Sequence, residues 1–231
     1  MTDIIRVTQE FYQRCRQAAN KENSQEAIEA NHVGWDSVKT QNEGFDVATD
    51  LSWINWKEVE SVLDIGCGYG GLLEYLFSVR FYQGKYWGVD IMPNVILDAI
   101  LNYGSKYKSH FVTGDFLEQS WDSEFDVVIS LGGICVNHDY PNHCGQKSLQ
   151  YAQKFISKAV FLSNSAVSLY FPNADNEIEN YQKLLAYYKI SEIEPIIIEA
   201  SGKRLEDITF VSYPDPRDMK TIAKIKLKSN S

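Results

Sequence analysis

The spacing of apolar positions changes character near residue 60 of this 231-residue chain. Over residues 3–20, apolar side chains recur every three or four positions, which predicts an amphipathic helix, and residues 45–56 are also predicted to be helical. Beyond residue 60, short runs rich in β-branched residues alternate with helical stretches. The predicted strands are SVLDI, KYWGVD, HFVTGD, FDVVISL, KAVFLSNSA, EPIIIEA and DITFVSY, and the predicted helices between them span residues 71–82, 93–103, 145–158 and 176–189.

Strands that alternate with helices predict an α/β fold. We expect a Rossmann-like, doubly wound sheet of seven strands, mostly parallel, with helices on both faces. Only SGKRLE separates the last two predicted strands, too short for a helical crossover, so the last strand is expected to be antiparallel. The chain then divides into a helical lid or cap segment (1–58), a core (59–215) and a C-terminal extension (216–231) of ambiguous structure.

A cluster of glycines directly follows the first predicted strand, in VLDIGCGYGG. Glycine tolerates positive φ angles and has no Cβ, so a ligand can lie against the main chain of such a loop. In a doubly wound sheet, ligands bind beyond the carboxyl ends of the strands, where this loop lies. A plain strand-to-helix turn usually manages with one glycine, so the loop predicts a binding site.

The next three strands also end in residues suited to binding. Asp90 closes the second strand in GVDIMP, where its carboxylate can accept hydrogen bonds from ribose hydroxyls or cap the following helix. Asp115 closes the third strand in TGDF, where it can bind an adenine amino group beside Phe116, or serve as an ordinary turn residue. The fourth strand, FDVVISLGG, can present carbonyl groups to a cationic amino group from Ser130, Leu131 and Gly132.

Together these four motifs resemble the class I S-adenosylmethionine-dependent methyltransferases over roughly residues 60–212. The resemblance implies a methyltransferase that binds S-adenosylmethionine and releases S-adenosylhomocysteine. It implies that the loop residues Gly66, Cys67 and Gly68 contact the methionine part of the cofactor, with Asp64 beneath them near the amino group. It also implies that Asp90 binds the ribose, and that the adenine contacts Ile91, Asp115 and Phe116.

The loop after the fourth strand, GGICVNHDYPNHCG, holds the candidate catalytic residues His138 and His143. Either could act as a general base for a hydroxyl acceptor, although both could equally be exposed loop histidines. The histidines could also join Cys135 and Cys144 at a metal, but the spacing is not that of usual zinc sites, so no metal is expected. The candidate pocket residues are Trp35 beside the sulfonium and, for the acceptor, Tyr12, Asn137 and Tyr170, all of which could instead be packing residues.

Net charge and missing motifs limit the class of molecule expected to accept the methyl group. The net charge of −9 disfavours nucleic acid, and the lysines near the end of the sequence, from Lys220 to Lys228, are expected to be solvated. The chain lacks an NPPY-like stretch and a Pro-Cys pair after the fourth strand, so a small-molecule acceptor with an O or N nucleophile is favoured. A protein or RNA methyltransferase, a nicotinamide-dependent oxidoreductase and a binding protein without catalysis remain alternatives.

Four scattered cysteines, with no signal peptide or membrane span predicted, favour a cytoplasmic protein. The oligomeric state is not indicated by the sequence.

Overall fold

The computed structural model describes residues 3–19, 30, 33–142, 145–175, 182–214 and 219–228. Among these residues, the helices α1 (Asp3–Ala19) and α2 (Val38–Thr49) precede the sheet. The alternating part then consists of β1 (Ser61–Ile65), α3 (Gly71–Val79), β2 (Lys85–Asp90), α4 (Pro93–Tyr103), β3 (Ser109–Thr113), β4 (Phe125–Ser130), α5 (Gln146–Phe161), β5 (Ser163–Pro172), α6 (Ile190–Ser201), a 3-10 turn (Gly202–Arg204), β6 (Leu205–Pro214) and β7 (Met219–Leu227).

The seven strands form one sheet in the order β3-β2-β1-β4-β5-β7-β6. Strands β1 to β5 all run parallel to one another, whereas β7 runs antiparallel to both β5 and β6. The predicted fold class, with an antiparallel last strand, is therefore confirmed.

Apolar side chains cover both faces of the sheet, which explains why the central strands are apolar along their whole length. On one face Phe155 of α5 and Ile193 of α6 belong to a buried cluster with strand residues such as Val128. On the other face Phe45 of α2 and Leu73 of α3 pack in a second cluster. Within the described segments, no helix combines the length and apolarity needed to cross a bilayer.

The segment EPIIIEA, predicted as the sixth strand, is instead part of helix α6. Its run of isoleucines mimics a buried strand, but Ile193, Ile196 and Ile197 are buried at the helical spacing of three and four, while Ile198 is 49% exposed. The helix starts at Ile190, whose backbone N–H donates to Asp175 Oδ2 at 2.9 Å. The helix predicted over 176–189 is wrong for residues 182–189, and residues 176–181 lie outside the described ones.

The C-terminal part of the chain also differs from expectation, because β7 lies between β5 and β6. The core therefore does not end at residue 215, and the residues after it are not a separate extension. The lysines expected to be solvated lie on this strand, and Lys220 and Lys224 are only 5% and 6% exposed. Their side chains share one face of β7 with Ile222, since alternate strand residues point the same way.

The sheet order reverses direction between β1 and β4, which places the loops that follow these two strands side by side. Ser130 Oγ, at the end of β4, donates to Ile65 O at 2.9 Å and accepts from Gly133 N at 3.1 Å. A Cβ atom on Gly66 would lie only 3.7 Å from Gly133 N. The two loops thus form adjacent walls of the crevice at the carboxyl edge of the sheet.

We expect that ending the chain after residue 215 abolishes cooperative unfolding, because β6 would lose its only strand neighbour in the described sheet and β5 would lose its outer one. A matched truncation after Lys228 retains β7 and should melt like the full chain. Near-UV circular dichroism during heating measures the unfolding of both truncated forms. A cooperative, unshifted melt of the shorter form would show that β7 is not part of the core.

Candidate active site

The glycine-rich loop is held against β2 by its own backbone. Gly66 N and Cys67 N both donate to Val89 O, at 2.8 and 3.1 Å, and Gly68 N donates to Asp90 Oδ2 at 3.0 Å. Gly66 and Gly68 adopt φ angles of 79° and 52°, in the left-handed region that favours glycine. These contacts fix the loop in a form that opens toward the crevice.

Asp90 joins two loops through its buried carboxylate. Its Oδ2 accepts from Gly68 N, and its Oδ1 accepts from Met92 N at 2.9 Å. Burial raises the pKa of Asp90, while the backbone donors Met92, Gly68 and Ile91 act in the opposite direction. Since a carboxylate offers about four lone-pair sites, Asp90 has capacity to accept further hydrogen bonds from a ligand.

Asp64 is a second buried carboxylate, at 3% exposure, on the strand beneath the loop. It accepts a hydrogen bond from the hydroxyl of Tyr86. The pKa of Asp64 is raised to about 7, chiefly by burial and also by the neighbouring charge of Asp90, although the hydrogen bond from Tyr86 acts in the opposite direction. A cation bound in this cavity would favour the ionised form of Asp64.

Three cavities meet above these loops. The first, the glycine-loop cavity, has about 990 Å³ of empty space and is lined in part by Asp64, Gly66, Cys67, Gly68 and Asp90. The second, the Phe116 cavity of about 540 Å³, is lined in part by Asp90, Ile91, Asp115, Phe116 and His138. The third, the Lys220 cavity of about 570 Å³, is lined in part by Trp35, Tyr170 and Lys220. Tyr12 and Gly132 line all three cavities.

Helix α1 covers the point where the three cavities join. Val7 packs in a small cluster with Val136 and Leu184, which seats the helix on the loop after β4. A Cβ atom on Gly132 would lie 3.8 Å from the hydroxyl oxygen of Tyr12, so the two residues face each other across a narrow gap. Tyr12 therefore lies where the sequence predicts it, at the site.

Most of the predicted site residues come together at these cavities. Trp35 and Leu131 line both the glycine-loop and the Lys220 cavities. Tyr170 contacts Trp35, with ring centroids 6.5 Å apart. Asp115 lies at the Phe116 cavity, with its Oδ1 fixed by Leu117 N at 2.9 Å. Ser130 is different, because its buried hydroxyl braces the two loops and it lines none of the three cavities.

His138 lines the Phe116 cavity and not the Lys220 cavity. Its ring stacks on Tyr151, with centroids 4.1 Å apart, and neither ring nitrogen has a hydrogen-bond partner within the described chain. Burial lowers the pKa of His138 to about 4, so the ring is neutral at pH 7. Asp139, its sequence neighbour, turns away and accepts from Gly145 N and Ser148 N at the start of α5.

Asn137, which the sequence predicts to contact the acceptor, is buried and hydrogen-bonded within the protein, and its contact with an acceptor stays a prediction. Its Nδ2 donates to Asn142 O and Lys183 O, both at 2.8 Å, and its Oδ1 accepts from Asp139 N at 2.9 Å. It lines none of the three cavities, because the amide is used to hold the loop together. His143 lies outside the described residues, as does Cys144.

Sequence reasoning missed several cavity residues. Lys220 was not predicted as a site residue, because the sequence analysis left the structure of residues 216–231 ambiguous. The alternation of polar and apolar residues in MKTIAKIKL is that of a strand. Gln41 and Asn42 of α2 line the glycine-loop cavity, and Tyr151 of α5 lines the Phe116 cavity. No local motif marks these helical residues, since only the packing of helices over the sheet brings them to the site.

Comparison with known proteins identifies the central part of the chain. Residues 62–165 match a family described as a methyltransferase domain. The provisionally named methyltransferase Rv1506c of Mycobacterium tuberculosis is 30% identical over 79 residues, which is 34% of this chain and 45% of that protein. The chain thus aligns with less than half of that relative's length.

The fold is shared with solved structures, of which two illustrate the likeness. Magnesium protoporphyrin IX methyltransferase from Synechocystis PCC 6803, bound to S-adenosylhomocysteine, superposes with a TM-score of 0.66 at 15% identity, covering 95% of both chains. The N-methyltransferase NodS from Bradyrhizobium japonicum WM9, also bound to S-adenosylhomocysteine, gives a TM-score of 0.58 at 13% identity, covering 92% of this chain and 98% of that one. The fold that the resemblance implies is confirmed, and the match of residues 62–165 agrees with a methyltransferase domain.

The raised pKa of Asp64 predicts a pH-dependent stability. Because the folded-state pKa of about 7 exceeds the ordinary value of 3.8, the folded form binds more protons between these values, and this contribution is lost as pH rises from about 4 to 7. The side chain introduced by Asp64→Asn does not titrate. The free energy of unfolding of this variant should therefore increase relative to that of the wild type as pH rises through that range. Urea denaturation from pH 4 to 8 measures this, with exposed Asp122→Asn as control; parallel wild-type and Asp64→Asn profiles would contradict the assignment.

Proposed function

We propose that this chain, whose residues 62–165 form a methyltransferase domain, transfers a methyl group from S-adenosylmethionine to an O or N atom of a small molecule. The observation that carries the proposal is the meeting of three cavities at Tyr12 and Gly132. A donor and an acceptor held in adjoining cavities can be aligned for transfer at their junction, away from bulk water.

The residues present fit the donor. The glycine-loop cavity combines exposed loop backbone with the carboxylates of Asp64 and Asp90, which suits an amino-acid part carrying positive charge. Asp90 also lines the Phe116 cavity, so a ribose at the boundary of the two cavities would lie beside its carboxylate. The Phe116 cavity is lined by the three side chains that the resemblance assigns to adenine: Ile91, Asp115 and Phe116.

Methyl transfer requires the protein mainly to align the donor with the acceptor. When bound, S-adenosylmethionine supplies a methyl group already activated on a sulfonium sulfur. A lone pair of the acceptor forms the new bond to the methyl carbon, the carbon–sulfur bond breaks with its electron pair remaining on sulfur, and any acceptor proton leaves to solvent. Positioning of this kind is worth up to ~7–11 kcal/mol. Tyr12, Trp35 and Leu131 wall the junction and exclude water.

We assign His138 to donor binding rather than to proton abstraction. It shares a cavity with Ile91 and Phe116, and its pKa of about 4 makes it a weak base at pH 7. The neutral ring can offer a donor and an acceptor nitrogen to a nucleobase edge. A catalytic role for His143 stays a prediction.

The segment 1–58 would act as a lid, since Thr8, Phe11 and Tyr12 of α1 line the cavities. A cytoplasmic location and exclusion of nucleic acid as acceptor also belong to the proposal, on the grounds of the cysteine pattern and the net charge of −9.

Asp90→Asn should weaken S-adenosylhomocysteine binding by roughly 10- to 100-fold, as expected for lost hydrogen bonds to a charged acceptor. Isothermal titration calorimetry measures the affinity, with Asp122→Asn in an exposed loop as the matched loss of one carboxylate. Titration with NAD in the same experiment tests the oxidoreductase alternative. Unchanged affinity in Asp90→Asn, or tight NAD binding, would contradict the proposal.

His138→Phe should raise the dissociation constant of S-adenosylhomocysteine about fivefold, since a polar contact worth on the order of 1 kcal/mol is lost while the stacked ring is kept. If His138 were a general base, cofactor affinity would stay at the wild-type value and only turnover would fall. Equilibrium binding of the cofactor, measured without any acceptor, therefore decides between the two roles.

A further inference from the structure

Lys158 of α5 binds the loop that follows β3, defined here as the β3 loop (residues 114–119). Its Nζ donates to the carbonyl oxygens of Phe116, Leu117 and Gln119 at 2.8, 2.9 and 2.7 Å. An ammonium group has three N–H donors, so this one loop accepts a hydrogen bond from each of them. Lys158 therefore holds the β3 loop against the helix.

The same ammonium group lies against a side chain that lines the Phe116 cavity. Lys158 Nζ is 5.0 Å from the ring centroid of Phe116, a cation–π distance. The buried ring of Phe116 also packs against Phe155 of α5, with centroids 4.9 Å apart. Contacts with α5 thus fix both the main chain and the side chain of Phe116.

The β3 loop is closed from within by Asp115. The backbone N–H groups of Glu118 and Gln119 donate to Asp115 O at 3.0 and 3.1 Å, in addition to the bond from Leu117 N to Asp115 Oδ1. Because one carboxylate oxygen is bonded to the loop, the loop also sets the direction of the other. Asp115 and Phe116 both line the Phe116 cavity, so the shape of this wall follows that of the loop.

One face of α5 supports both walls of the Phe116 cavity. Ser148, Tyr151, Phe155 and Lys158 recur at spacings of three and four, which places them on the same side of a helix. Ser148 Oγ accepts from His138 N at 3.0 Å, and Tyr151 stacks on the ring of His138. The first two residues thus hold the wall that carries His138, and the last two hold the wall formed by the β3 loop.

Lys158 acts on this cavity from behind. It lines none of the three cavities, so it does not face a ligand in them. Burial lowers the pKa of Lys158, and the charges of Asp115 and Glu118 act in the opposite direction. The ammonium group therefore lies close to the carboxylate that the resemblance assigns to the adenine.

We propose that Lys158 is a positioning residue for the base of the donor: by holding the β3 loop, it places Asp115 and Phe116 so that the site selects adenine over a base without the exocyclic amino group. This assignment rests on the proposed function, because it takes the Phe116 cavity to hold the base. A carboxylate accepts a hydrogen bond from an amino group but repels a carbonyl oxygen at the same position. Hydrogen bonds weaken steeply when distance and angle change, so this selection depends on where the loop holds Asp115.

The test compares two ligands on the full chain by isothermal titration calorimetry. They are S-adenosylhomocysteine and S-inosylhomocysteine, in which a carbonyl oxygen replaces the amino group of the base. We expect the wild type to bind S-adenosylhomocysteine at least about 10-fold tighter, as a hydrogen bond to a charged acceptor implies. A variant that is merely less stable loses affinity for both ligands alike, so the ratio of the two dissociation constants reports the role in base selection.

Lys158→Met removes the ammonium group and keeps an aliphatic side chain, and it should lower this ratio at least about fivefold. The matched control is Lys154→Met, which deletes a lysine charge from an exposed position one turn earlier on α5 and should keep the wild-type ratio. Lys158→Gln, which is neutral and shorter but keeps N–H donors for the carbonyl groups, should lower the ratio about two- to threefold. This milder variant decides if Lys158→Met does not fold.

Tight binding of S-adenosylhomocysteine with no preference between the two ligands would overturn this role of Lys158 and leave the methyltransferase proposal standing. A wild-type ratio in Lys158→Met, or in Lys158→Gln where only that variant folds, would do the same. Failure of the wild type to bind S-adenosylhomocysteine at all would instead overturn the proposed function on which the assignment rests.

Discussion

The site depends on one buried carboxylate that binds two backbone N–H groups from separate loops. Asp90 accepts from Gly68 N at 3.0 Å and from Met92 N at 2.9 Å, and so ties the glycine-rich loop to the turn after β2. A charge buried this deeply is tolerated only when donors surround it. The loop geometry and the charge that faces the ligand therefore have a common origin, and the edge of the sheet is preorganised before any ligand arrives.

This preorganised edge becomes a reaction site only because other elements close over it. Helix α1 brings Tyr12 to Gly132, where the three cavities meet, and β7 brings Lys220 to the far end of one of them. Parts of the chain before and after residues 62–165 thus join residues of that segment in lining the cavities.

The sequence was sufficient for features that depend on local chemistry. The alternation of strand and helix patterns predicted the fold class, and four glycines after an acid, with Asp90 and Asp115 at strand ends, predicted a binding site at the carboxyl edge of the sheet. It failed where a local pattern fits two structures: the isoleucines of EPIIIEA suit a buried strand as well as a helix, and Pro195 lies inside α6 all the same. The burial of Lys220 and the cavity that His138 lines could not be predicted, because tertiary packing alone determines which cavity, if any, a side chain faces.

A crystal structure of the chain with S-adenosylhomocysteine tests the central claim most directly. The account predicts electron density for the ribose beside Asp90, for the adenine in the Phe116 cavity, and for the amino-acid part against residues 66–68, with the sulfur directed toward Gly132 and Tyr12. Density for the ligand elsewhere, or a glycine-rich loop and Asp90 that make no contact with it, would contradict the account.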